Sequence, residues 1–69
     1  MTGIEEAIQI AGSAARLARR LIPPVTQQAV DGWKKQGWAP LARAPQISAL
    51  TGVDTTRLVK PSVMEAIGQ

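Results

Sequence analysis

The sequence predicts an all-α fold, a small bundle of about five short helices, on three observations. Apolar residues recur at helical spacing in successive short stretches. Ser, Thr and Asp stand where helix N-caps are needed, and Gly or Pro where the helices must stop. The apolar 45% of the chain is mainly Ala, Leu, Ile and Val, with no Phe or Tyr and only Trp33 and Trp38 as aromatics, which favours closely packed helices.

Each element follows in order. Thr2-Gly3-Ile4-Glu5 has the spacing of a capping box, so a first helix should run over residues 3–11, with Ile4, Ala7, Ile8 and Ala11 inward and Gly12 as its stop. Ser13 is a natural N-cap for a second helix, with Ala14, Leu17, Ala18 and Leu21 inward and Arg16, Arg19 and Arg20 outward. Ile22-Pro23-Pro24-Val25 must end it, because proline lacks the backbone donor and disfavours helical geometry in the residue before it.

A third helix should span Thr26 to Gly37, Thr26 capping its start and Gly37 taking the left-handed position after its last turn. At about 100° per residue, Ala29, Val30 and Trp33 fall in one sector. Gln28, Asp31, Gly32 and Lys35 occupy the opposite side, with Gln27 at its edge. After a tight turn at Trp38-Ala39-Pro40, a fourth helix is expected from about Pro45 to Thr51, with Ile47 and Leu50 facing the core and Gly52 as stop. Asp54 can cap a last short helix through Leu58 and Val59. An extended stretch over residues 53–60 is its rival. Residues 1–61 are read as the domain and 62–69 as a C-terminal tail, in which Ser62-Val63-Met64-Glu65 repeats the capping-box pattern.

Sixty-nine residues leave no room for a catalytic cleft between two lobes. With no Cys and no His there is no disulfide framework, no thiol chemistry and none of the usual zinc ligand sets. Enzyme chemistry is the least expected class, since general acid–base work needs positioned groups and this chain has five scattered carboxylates. No metal, cofactor or small-molecule substrate is expected. No run approaches a membrane span and no export signal opens the chain, so a cytoplasmic protein is expected.

Net charge is +3, unevenly spread: from Ser13 to Arg43 six cations (Arg16, Arg19, Arg20, Lys34, Lys35, Arg43) stand against Asp31 alone. Solvated basic faces are common, so charge alone is a weak signal for a polyanion partner. The polar face of the third helix sharpens it. Glycine weakens a helix interior by ~1 kcal/mol relative to alanine. Gly32 on that face therefore asks for a reason, and close approach to the wall of a DNA major groove supplies one. Gln can bind adenine through two hydrogen bonds and Asp can accept from the cytosine amino group. Lys34, Lys35, Arg16 and Arg43 would mainly hold phosphates. The bland alternative for Asp31 is an i,i+4 pair with Lys35, worth only ~0.2–0.5 kcal/mol.

Two helices, a turn and a capped amphipathic helix resemble a helix-turn-helix of the lambda-repressor-like kind. The closer similarity is to phage Cro-like repressors and YdaS-type Cro antitoxin proteins. It rests on LARRL, VTQQAVDGW, the Gly37-Trp38-Ala39-Pro40 step, LTG at 50–52 and LVKP at 58–61, and covers residues 13–63. The resemblance implies that Ala18 sits where the two helices pack and that Val30 and Trp33 anchor the second of them. It puts Thr26, Gln27, Gln28, Asp31, Gly32 and Lys35 at DNA-facing positions, and Ser13 and Arg16 where the first helix of the motif meets phosphate. The candidate base-reading residues are then Gln27, Gln28, Asp31, Gly32 and Lys35. The candidate phosphate-binding residues are Ser13, Arg16, Thr26, Lys34 and Arg43. One departure stands out: the family's turn is usually a single glycine before the Val-Thr pair, and here Ile22, Pro23 and Pro24 make it two residues longer.

The expected function is a sequence-specific transcriptional regulator, a phage or prophage Cro-type repressor binding a palindromic operator as a homodimer. Val63, Met64 and Ile67, or the Trp38 region, are the candidate dimer contacts. The alternative is an antitoxin-like protein-interaction module with secondary DNA binding. Membrane-surface binding through the Arg-rich second helix is weaker, because that helix's apolar face is needed for the core.

Overall fold

Thr2 opens the chain's first helix by the reciprocal cap that its sequence predicts. Its hydroxyl accepts from the Glu5 N–H at 3.2 Å, and the Glu5 carboxylate accepts from the Thr2 N–H at 3.2 Å. The bond from the Thr2 N–H, then that from its hydroxyl, holds the Glu5 carboxyl below its usual range. The computed structural model describes residues 2–60, so the boundary at residue 61 and the second capping box lie outside the described residues.

Four α-helices follow one another: α1 (Gly3–Ala11), α2 (Ala14–Arg20), α3 (Gln27–Gln36) and α4 (Ala44–Thr51), then a 3-10 turn at Thr55–Arg57. No strand occurs among the described residues. Ile4, Ala7, Leu17, Ala18, Leu21, Val30, Trp33, Ala44, Ile47, Val53 and Leu58 are buried in one cluster, with Ile8, Ala14 and Ala29 packed against it. The inward positions expected of the first three helices are all there.

The later elements differ in detail. Helix α4 starts at Ala44, one residue before the expected Pro45, which falls inside its first turn. Leu50 was expected in the core and is 40% exposed. The reason is the period. Ala44 and Ile47 are buried and Ser48 and Thr51 half-buried, and Leu50 points roughly 110° away from the centre of that stripe.

Asp54 does cap the last element, its carboxylate accepting from the Thr56 N–H at 2.9 Å. That element is a single 3-10 turn, neither the helix through Val59 nor the extended run 53–60. The chain leaves the helix at Leu58 because Leu58 and Val59, adjacent in sequence, are both buried. The Leu58 carbonyl also accepts from the Ala39 N–H at 2.7 Å, which ties the residue after the 3-10 turn to the segment after α3.

Helix α1 and the 3-10 turn meet at Gly3. A Cβ there would overlap the Arg57 carbonyl, and Arg57 pairs with Glu6 at 2.6 Å on the same corner. Gly3→Ala is expected to destabilise the domain by about 1–2 kcal/mol, since overpacking a rigid backbone contact outweighs the gain in helix propensity. Urea unfolding measures it; a stabilised variant would mean that the corner is loose.

Candidate nucleic-acid interface

Helix α3 is fixed at both ends. The Thr26 hydroxyl accepts from the Ala29 N–H at 3.1 Å, and Gly37 takes the left-handed conformation at φ 97°, its N–H donating to the Trp33 carbonyl at 2.8 Å. Val30 and Trp33 are buried, so rotation of α3 about its own axis is set by the core. That places Gln27, Gln28, Asp31, Gly32, Lys34 and Lys35 in solvent.

None of these side chains makes a hydrogen bond or ion pair with another described residue. The Asp31–Lys35 pair is therefore not formed, and Asp31 is left facing outward. A Cβ at Gly32 would meet nothing within 4 Å, so packing inside the domain gives no reason for a glycine there. Lys34 lies on the side of α3 toward Glu5, whose carboxylate it helps slightly to keep ionised.

The α2 end of the surface is built by caps. The Ser13 hydroxyl accepts from the Arg16 N–H at 3.2 Å and keeps its own proton free to donate. Arg16 is exposed and folds back along Gly12, where a Cβ would stand 2.9 Å from Arg16 Nη1 and where the φ of 108° also favours glycine. Helix α2 packs against α3, which sets this corner beside the polar face of α3.

Arg43 is placed differently from the other candidate phosphate-binding residues. It is half-buried, and its Nη1 donates to the Ile22 carbonyl at 3.2 Å, with Gln46 Oε1 at 3.5 Å. Its charge lies beside the α2–α3 turn, held there by backbone. Sequence reasoning missed Gln46 altogether. Its amide donates to the Ile22 carbonyl at 2.6 Å and accepts from the Ile22 N–H at 3.2 Å. The one local signal was weak: two prolines after Ile22 leave the turn short of backbone donors, but nothing in the sequence links that turn to a residue 24 positions on.

Among the described residues no group of His, Cys, Asp or Glu could hold a metal ion, and no helix is long and apolar enough to cross a membrane. The arrangement is thus a surface: amides, one carboxylate and ammonium groups on a rigid helix, flanked by guanidinium groups on α2.

No curated protein and no solved structure matches the chain. A family model described as bacterial toxin YdaS matches residues 4–59, which takes in every element from α1 to the buried Val59. With a match over most of its length, the chain belongs to the YdaS family, a Cro/CI-like helix-turn-helix family.

Proposed function

We propose that this protein is a sequence-specific DNA-binding transcriptional regulator, a phage or prophage Cro-type repressor that acts in the host cytoplasm and binds a palindromic operator as a homodimer. The observation that carries this reading is the face of α3: Gln27, Gln28, Asp31, Gly32 and Lys35 are exposed, unpartnered by described residues, and held by buried Val30 and Trp33. Gln27 and Gln28 stand in its first turn, the part of a recognition helix that reaches base edges. Ser13, Arg16, Thr26 and Lys34 would take phosphates around it, and Arg43 would do so from its place at the turn.

Duplex binding should then fall steeply with added salt. Lys35→Ala and Arg16→Ala should each reduce the slope of log affinity against log salt by about one unit if each side chain neutralises one phosphate. Unchanged slopes in both variants would remove this surface from the DNA backbone.

A second reading is a protein-interaction module, a toxin or antitoxin partner with secondary DNA binding. Beyond the family's description as a toxin, the groove lined by Arg20, Ile22, Gln46, Ala49 and Leu50 favours it, because Ile22 is 78% exposed there. A neighbouring toxin gene would support this reading, and a divergent repressor gene the first.

A further inference from the structure

We propose that Gln46 is a positioning residue that fixes the angle between α2 and α3 by clamping the Ile22 peptide groups from α4; the consequence for DNA rests on the function proposed above. The turn itself has few means of holding an angle. Pro23 and Pro24 donate nothing, and from residue 21 to 25 the one backbone hydrogen bond is from the Val25 N–H to the Ala18 carbonyl at 3.1 Å. The remaining polar anchor is Ile22, and its two peptide groups are taken by a side chain 24 residues away: Gln46 Nε2 on the carbonyl at 2.6 Å and Gln46 Oε1 on the N–H at 3.2 Å.

This pairing is two-pronged, so it fixes direction as well as distance, as a single bond would not. Arg43 Nη1 adds a second donor on the same carbonyl at 3.2 Å and leans on Gln46 Oε1 at 3.5 Å, which holds the Gln46 amide in its orientation. The clamp also bridges two parts of the fold that otherwise meet mainly through α1. Helices α2 and α3 pack on each other and on α1, whereas α4 packs on α1 and the 3-10 turn. Gln46 stands next to Ile47, which is fully buried, so the clamp has a fixed base. In this chain a side chain from α4 sets the geometry that a short glycine turn would set through its own backbone.

Gln46→Met keeps the length and helix propensity of the side chain and removes both prongs. The Ile22 carbonyl keeps Arg43, and the Ile22 N–H loses its acceptor. Two measurements on the full chain test the proposal. Residual dipolar couplings of the α2 and α3 amides, recorded without DNA, should report a changed or averaged interhelical angle, with the Ile22 amide exchanging faster. The ratio of affinities for a selected operator and a random duplex should fall about tenfold, as one misplaced bidentate base contact would give, while random-duplex binding holds within about twofold. Gln46→Glu, which keeps the acceptor and loses the donor, should shift both in the same direction and serves if the Met variant does not fold. Couplings that stay unchanged overturn the positioning role whatever the DNA result. Changed couplings in a protein whose wild type prefers no duplex uphold the clamp and overturn the DNA function.

Discussion

Trp33→Ala should unfold the domain or leave it marginal at room temperature. Truncating a buried aromatic costs ~3–5 kcal/mol, comparable with the whole stability of a small domain. Trp33 is 9% exposed and belongs to the buried cluster, beside Val30 and the partly buried Ala29 on α3. The loss would reach function through geometry, since Trp33 and Val30 together hold the polar face of α3 outward. Thermal unfolding followed by circular dichroism measures it, and a melting temperature equal to that of the wild type would place Trp33 outside the core.

Gln28→Ala and Asp31→Ala should leave folding intact and change recognition in different ways. Both side chains are exposed, three residues apart on the face opposite Val30, and neither has a partner among the described residues to lose. Gln28→Ala should cost ~1–3 kcal/mol on the preferred operator and relax preference at one base position, as loss of a bidentate contact does. Asp31→Ala should strengthen non-specific binding while discrimination falls. A carboxylate repels the phosphate backbone and is tolerable only where a base donor compensates. Competition titrations with specific and random duplexes separate the two effects, and unchanged ratios in both variants would take the reading role away from α3 and favour the interaction module.

Helix caps were the most legible part of the sequence. Thr2, Ser13, Thr26 and Asp54 each accept the backbone hydrogen bond expected of them, because a cap depends on residues two or three positions away. The face of α3 was legible for the same reason, as Val30 and Trp33 need only the helical period to be placed together. What the sequence hid is set by contacts between distant elements. Leu50 sits on an eight-residue helix whose inward stripe is decided by where α1 lies, and the stripe passes it by. Gly3 reads as an ordinary first-turn residue until the Arg57 carbonyl is found against it. Arg43 reads in the sequence as a phosphate-binding cation, and nothing local marks Gln46. Their bonds to Ile22 span more than twenty residues and no local rule links them.

On the proposed function, α3 reads base sequence as half of a symmetric pair. Selection of bound duplexes from a random pool by the wild-type protein tests it most directly. One palindromic sequence should be enriched, with half-site centres about 34 Å apart, one turn of DNA, because one recognition helix reads only a few base pairs and a twofold dimer doubles the site. A pool that stays random after repeated rounds, or a single short half-site saturated by one monomer, would contradict it.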